Sequence, residues 1–379
     1  MSTTTAASKT TISLSDDQQD AVDRIEQWIS TPSYCRGDFV FSGFAGTGKT
    51  TVISHLWPMF MQHDMLFLGP TGKSVEMMRQ KGMKAMSIHS AIYYFRGTYE
   101  RSDGNEIPIF EDRDEWKGRV PKLIGVDEAS MCDARVYSDL KSKGLSILFC
   151  GDNGQLEPVG EDPGIMKRPN VSLEKIHRQA EGSSILKMAH TVRQGGEFSH
   201  IDNRSTFLTR LPTVTSKVSY AIDNGIDQTI VAMNATRHAF NKIYRAKSGM
   251  SGMLDAGDRI VIKANCWDLM LFNGQSFTIK SIEDDQETYY RVNMVDRFGA
   301  VRKNVQLQKI SLGNREYKSS MKVEGKIVSD YAYAITAHSA QGDSFGKVLY
   351  VDEPCKLFST SRHRYTGITR AINEIHVAI

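Results

Sequence analysis

Residues 43–50 read GFAGTGKT. The apolar triplet Phe39, Val40, Phe41 precedes them, and a helix signal over 51–61 follows, with Pro58 set to bend or end it. A glycine-rich run in the pattern G-x-x-x-x-G-K-S/T, lying between a strand and a helix, wraps backbone N–H groups around a phosphate. It also aims the positive end of the helix at the same anion. Gly43, Ala45, Gly46, Thr47, Gly48 and Thr51 then form the cradle. Lys49 reaches the β- and γ-phosphates of ATP, and the Thr50 hydroxyl holds Mg²⁺. Further strand signals at 65–68, 123–126 and 147–150 alternate with helical ones. That alternation predicts an α/β fold, a parallel sheet with helices on both faces.

The strand at 123–126 delivers Asp127 and Glu128 (LIGVDEASM, 123–131) to the carboxyl edge of that sheet, where ligands bind. Asp127 is placed on Mg²⁺, and Glu128 positions or deprotonates a water. The second carboxylate argues for hydrolysis, because holding the metal does not need it. At the tip of the next strand, Gln155 either bonds a γ-phosphate or its neighbouring water, or is a plain polar turn. Arg178 and Arg370 lie far from the loop in sequence, each beyond or between α/β elements. An arginine supplied across a cleft stabilises charge on a transferring phosphoryl group.

Composition serves mainly to exclude. At about 100–200 residues per domain, 379 residues make two or three domains. The net charge of +3 is too mild to argue nucleic-acid binding by itself, so local distribution must carry that case. Five cysteines, none in a C-x-x-C pair, speak against a disulfide framework or a structural zinc site and for a reducing, cytoplasmic setting. No run of 18 apolar residues exists, so no membrane span is expected. Residues 1–13, rich in Ser and Thr, read as a disordered tail rather than a signal peptide.

The rhythm breaks at 93–120, a polar stretch with the turn signal Asp103-Gly104, expected as a hairpin inserted in the first α/β domain. A second alternating region opens with a strand at 229–233 and a helix capped by Asn234 and running to Lys247. Residues 250–326 carry β signals at 259–263, 277–282, 289–295 and 301–308, the pattern of a small antiparallel barrel. From 297 to 326 there are eight basic and two acidic residues, either a binding surface or a solvated face. The domains expected are 14–192 with its hairpin, then 193–249 joined to 327–379, with 250–326 inserted.

Taken as an ordered set, these motifs resemble the superfamily 1 helicases of subgroup B, the RecD-like kind, and small phage members in particular. LSDDQQDAV at 14–22 is similar to the family's Q motif, which implies Gln18 as adenine reader. PTGKS at 70–74 and SIHS at 87–90 resemble motifs Ia and Ib, implicating Pro70, Thr71, Lys73 and His89 in holding a strand. GDNGQLEPV at 151–159 is similar to motif III, and IHRQ at 176–179 to motif IV, with Arg178 near the γ-phosphate. VAMNATRHAFNKIYR at 231–245 resembles the element opening the second motor domain. YAYAITAHSAQGDSFGKV at 331–348 resembles motif V, implying Thr336 and His338 on the strand and Gln341 and Gly342 at the nucleotide. YTGITRA at 365–371 resembles motif VI, with Arg370 completing the ATP site. Glu157, Ser339 and Asp343 depart from the family's usual Pro, Lys and Ser, and the missing Lys removes one phosphate contact.

The resemblance implies two RecA-like motor domains, a pin at 93–120 and an SH3-like insertion containing GDRIVI (257–262) and FNGQSFTI (272–279). It further implies an ATP- and Mg²⁺-dependent helicase moving 5′→3′ on single-stranded DNA. Forks would be split at Phe110 or Tyr99, with roles in phage or mobile-element replication or recombination. A monomeric motor with a replication or single-strand-binding protein as partner is expected. An RNA helicase of the same subgroup and an ATP-gated clamp that does not unwind remain open.

Overall fold

The computed structural model describes residues 14–379 apart from 101–105, 114–115, 117–118, 159, 176–181, 267–268, 270 and 356–358. The expected tail at 1–13 and the 176–179 motif with Arg178 lie outside the described residues.

The first lobe opens with α1 (Asp16–Ser30), β1 (Phe39–Gly43), α2 (Lys49–Gln62), β2 (Met65–Gly69), α3 (Gly72–Gln80), β3 (Ala85–Ser87) and α4 (Ile88–Ile92). A two-stranded antiparallel hairpin follows, β4 (Tyr93–Glu100) and β5 (Glu106–Asp112). Then come β6 (Leu123–Val126), α5 (Ala134–Ser142), β7 (Ile147–Gly151) and β8 (Val171–Leu173). The sheet is wholly parallel, in the order β3-β2-β6-β7-β1-β8. Its central strands are apolar at nearly every position because both faces are covered. Phe41, Phe67 and Leu148 point to the face packed by Ile25, Leu56 and Val75 of α1, α2 and α3. Leu68, Val126 and Phe149 point to the other, packed by Ile88 and Leu140 of α4 and α5.

The second lobe has α6 (Ser184–Arg193), β9 (Thr206–Thr209), α7 (Val214–Asp223), β10 (Gln228–Val231) and α8 (Asn234–Lys247). The chain then forms β11 (Arg259–Ile262), β12 (Ser276–Asp285), β13 (Tyr289–Asp296), β14 (Val301–Gln308) and β15 (Ser329–Tyr331). These five make an antiparallel sheet, β14-β13-β12-β11-β15, whose edges meet where the Gln308 N–H donates to the Ile327 carbonyl at 2.9 Å. β16 (Ala334–Thr336), β17 (Phe345–Val351), α9 (Thr360–Ile368) and β18 (Ala371–Ala378) complete the lobe. Its parallel sheet runs β16-β10-β17-β18-β9. One apolar core joins this sheet to the insertion through Val231, Phe240, Ile260 and Tyr333.

Of the two outcomes Pro58 allowed, an end is ruled out: α2 continues to Gln62, with Leu56 and Phe60 on either side both buried. Two sequence expectations need correction. Asn234 is the first helical residue of α8 rather than its cap, which is Met233; its side chain accepts from Arg237 Nε at 3.1 Å instead. Helix α6, expected in the first domain, buries Ile185, Met188 and Val192 among Tyr350, Tyr365 and Val377 of the second lobe.

Candidate active site

The loop after β1 is shaped by its glycines. Gly46 and Gly48 hold left-handed φ angles of 80° and 86°. A Cβ on Gly43 would lie 2.8 Å from both Lys49 Cγ and Thr47 Oγ1. The Lys49 ammonium donates to the Gly43 and Phe44 carbonyls and stands 3.9 Å from Asp152 Oδ2. Thr50, which follows, is exposed, and Thr51 is half-buried. Gln18 is buried, and its Oε1 accepts the Ser15 N–H while its Nε2 donates to the Thr47 carbonyl, both at 3.2 Å. The side chain expected to read adenine therefore also ties the start of α1 to the phosphate loop.

Asp127 and Glu128 leave β6 toward the same edge. Glu128 has φ 51°, a left-handed conformation costing on the order of 1–3 kcal/mol for a residue with a side chain. Its N–H donates to Asp127 Oδ1 at 3.0 Å. Burial raises the Asp127 carboxyl above its usual value. Burial first, then the Asp127 charge, pushes Glu128 up to about 7, while Arg370 and Lys49 pull it down. A carboxylate so tuned can take a proton near neutral pH. Arg370, from the second lobe, is 7% exposed, and its Nε donates to the Thr366 carbonyl at 3.1 Å.

The residues present fit a nucleotide with its metal. The cradle leaves no room for a Cβ at Gly43, and Gln155 Oε1 and Gln341 Nε2 are buried without hydrogen-bond partners among the described residues. Gly342, beside Gln341, has φ 75°. Thr50 and Asp127 are the hard oxygen donors Mg²⁺ prefers and would hold the ion, which would supply positive charge against the phosphates.

Several residues that join the lobes were not singled out from the sequence. The Ala45 N–H donates to the Tyr365 hydroxyl at 2.8 Å, and that hydroxyl donates to Asp152 Oδ2 at 2.8 Å. The Leu156 N–H donates to Thr366 Oγ1 at 3.1 Å, and Arg362 Nη1 donates to the Gln155 carbonyl at 3.0 Å. From α6, Arg193 stacks 3.4 Å over the Phe44 ring, and His190 packs edge-on to Phe44 and Tyr365. Tyr365 and Thr366 were inside a quoted motif. His190 and Arg193 had only their i, i+3 spacing as a signal.

The expected strand contacts gather elsewhere. β2 and β3 are neighbours, with Gly69 paired to Ser87, so Pro70, Thr71 and His89 leave the sheet side by side. Thr71 caps α3, its hydroxyl accepting the Ser74 N–H at 3.1 Å; Lys73 sits in the first turn of that helix. Thr336 ends the edge strand β16 of the other lobe, its hydroxyl 3.0 Å from Ser339 Oγ, and His338 follows. Burial holds the imidazoles of both His89 and His338 below the usual histidine value. Phe110 sits at the hairpin base, its ring 5.1 Å from His89 and 5.4 Å from Tyr93. Tyr99, by contrast, is 52% exposed further out.

Among the described residues, no helix is long and apolar enough to cross a membrane. A family model described as an AAA domain matches residues 13–206. The ATP-dependent RecD2 DNA helicase of Deinococcus radiodurans is 25% identical over 362 residues, covering 88% of this chain and 45% of that protein. The chain spans less than half the length of the curated relatives it matches. A solved structure of Pif1 helicases at forked double-stranded DNA is similar with TM-score 0.61 and 16% identity, over 97% of this chain and 92% of that one. A Bacteroides Pif1 helicase with ADP-AlF3 and single-stranded DNA gives TM-score 0.58 and 16% identity, over 97% and 93%. The chain belongs to the AAA domain family.

Proposed function

We propose that this chain is an ATP-dependent DNA helicase that moves 5′→3′ along single-stranded DNA and unwinds duplex. One observation carries the reading: Tyr365, on the helix that ends two residues before Arg370, is hydrogen-bonded to the Ala45 N–H of the phosphate loop that holds Lys49 and to Asp152. Each lobe supplies charge that the other lacks, so hydrolysis requires them together, and a triphosphate held between them favours the closed pair. Glu128 accepts the proton of the attacking water, Lys49 and Arg370 bear on the phosphoryl oxygens, and Gln155 and Gln341 offer their buried amides to the nucleotide. Thr50 and Asp127 would hold Mg²⁺. Arg178 joins this set by its motif alone.

The strand runs over Pro70, Thr71, Lys73 and His89 in one lobe and Thr336 and His338 in the other. Opening and closing then alternate the two grips. Separating a base pair costs about 1.4 kcal/mol of stacking, a small load per cycle. The hairpin serves as the pin, with Tyr94, Phe95, Tyr99 and Ile109 exposed along it. The antiparallel insertion is read as SH3-like, completing motor domains at 14–182 and at 183–249 with 327–379. The RecD2 and Pif1 likenesses support DNA as the track and single strands and forks as partners. The polarity and a role in phage or mobile-element replication or recombination follow from the family resemblance.

The test has two parts. Arg370→Ala should lower strand-stimulated kcat by on the order of 10³-fold with ATP still bound. Duplexes with a 5′ or a 3′ tail, in DNA and in RNA, then separate the alternatives. Unwinding from 3′ tails alone refutes the polarity, RNA-only unwinding makes it an RNA helicase, and strand-gated ATP binding without unwinding makes it a clamp.

A further inference from the structure

The Arg370 side chain is gripped by its own lobe in a way that leads to the insertion. Its Nε donates to the Thr366 carbonyl, its Nη2 to Thr369 Oγ1 and its Nη1 to the main-chain carbonyl of Asp343, each at 3.1 Å. The Phe345 N–H donates back to the Arg370 carbonyl at 2.8 Å. The loop at 343–345 thus sets where this guanidinium stands.

Asp343 is one of the departures noted in the sequence, an acid where the family carries serine. It is 3% exposed, and its Oδ1 is paired with Arg297 Nη1 at 2.9 Å. The same nitrogen donates to the Ser344 carbonyl at 3.2 Å. A serine at 343 could not make that ion pair. Arg297 lies in the turn between β13 and β14, at the tip of the inserted sheet, so a side chain of the insertion lies one residue's main chain away from Arg370.

Arg297 also touches the other lobe. Its Nη2 lies 3.5 Å from Met77 Sδ on α3, the helix that begins just after Thr71. The insertion is fastened to α3 at two more points. Gln275 Nε2 donates to Glu76 Oε2, and the Phe272 ring fills the space of a Cβ on Gly72, whose ideal position is 2.0 Å from Phe272 Cγ. Beside these contacts lies a cavity of about 350 Å³ lined by Met77, Arg297, Phe298, Asp343 and Phe345. The Arg297 turn borders open space there, so it can shift without a core being broken.

We infer that Arg297 is a positioning residue for ATP hydrolysis: through Asp343 it sets the stance of Arg370, and so links the strand-facing helix α3 to the ATP site. The inference rests on the reading of Arg370 as the arginine that completes that site. Removing Arg297 leaves a buried carboxylate without its cation, and the loop carrying the Asp343 carbonyl must rearrange. A residue acting only as a strut would alter melting and strand affinity and leave turnover per bound complex alone.

The full chain is assayed for ATP hydrolysis with saturating oligothymidylate, and for affinity toward a labelled oligothymidylate by anisotropy. Arg297→Ala and Asp343→Asn should each lower kcat about tenfold, within the usual range of coupling between sites, with KM for ATP and strand affinity within about twofold. Arg297→Lys, keeping one charge, should fall between. The exchange of charges, Arg297→Asp with Asp343→Arg, should recover more turnover than either single change, which also guards against a variant that fails to fold. Unchanged kcat in Arg297→Ala, a strand-affinity loss as large as the kcat loss, or simple additivity in the exchange overturns the inference. Arg370→Ala separates the two readings. If it still turns over, the arginine's role itself fails; if it is dead while Arg297→Ala keeps the parent kcat, only the coupling fails.

Discussion

Tyr365→Phe removes a single oxygen from the seam between the lobes. The ring is 0% exposed, and phenylalanine fills the same space, so no cavity arises. What is lost is the pair of hydrogen bonds from the Ala45 N–H and to Asp152 Oδ2, both at 2.8 Å. Asp152 retains the Gly154 N–H at 2.8 Å and Lys49 at 3.9 Å, so its charge is not abandoned. Ala45 is half-buried, and water can replace part of its bond. A hydrogen bond to a charged group contributes about 1.5–3 kcal/mol, so the seam weakens by about 2 kcal/mol. At about 1.4 kcal/mol per tenfold, the closed pairing of lobes falls by about thirtyfold. Steady-state ATP hydrolysis with saturating oligothymidylate should show kcat/KM reduced about ten- to thirtyfold. Binding of a fluorescent ADP, whose phosphates the first-lobe loop holds without the seam, should change less than about threefold. If kcat/KM stays within about twofold of the parent at an unchanged melting temperature, the hydroxyl does not couple the lobes and the reasoning fails.

Tyr99→Ala should impair unwinding of a tailed duplex while sparing strand-stimulated ATPase. Phe110→Ala, at the hairpin base against His89, should lower both, and the reverse pattern would return the wedge to Phe110. Burial holds the His363 imidazole, bonded to the Tyr350 hydroxyl at 2.7 Å, down to about 4. The unfolded chain, titrating near 6.5, takes the proton first as pH falls, so this contribution is whole above about 6.5 and lost progressively toward 4, at most about 3 kcal/mol. His363→Gln should flatten the fall of melting temperature across that window, and an identical slope would assign the fall to other groups. Gly72→Ala must expel the Phe272 ring and should cost about 1–3 kcal/mol in chemical denaturation, mostly recovered by adding Phe272→Ala; no recovery would mean that the ring is not what meets the new methyl.

The parts of the fold that were legible are those with a strong local signal. β1, β2, β6 and β7 read as strands because both faces of a parallel sheet demand unbroken apolar runs. The inserted strands β11, β13 and β14 read to within a residue, and β12 three residues short at its end, because alternation reports a half-buried surface. β3, β8, β15 and β16 escaped notice because three residues each carry too little periodicity. Serine and aspartate in β15 are accommodated by tertiary partners, as when Asp330 meets Arg237 at 2.7 Å. For α6 the apolar stripe states that it packs but not against what: it meets Tyr365 and Val377 of the second lobe and Phe44 and Leu156 of the first.

The site divides along the same line. Lys49, Thr50, Asp127 and Glu128 stand out as candidates in the sequence because phosphate and metal chemistry asks for residue types at fixed local offsets. Tyr365 was not, because its partners are a backbone N–H 320 positions away and a carboxylate 213 positions away. Yet its place in the chain has a mechanical consequence. Tyr365 and Thr366 lie on α9, and Arg370 stands two residues past its end, with its Nε held by the Thr366 carbonyl at 3.1 Å. The groups that fasten this helix to the first lobe and the guanidinium proposed to serve the phosphates are therefore one rigid piece. They cannot be adjusted separately, so a loss of the Tyr365 seam must displace Arg370 as well. A contact that looks like mere docking is for this reason expected to appear in the rate of hydrolysis.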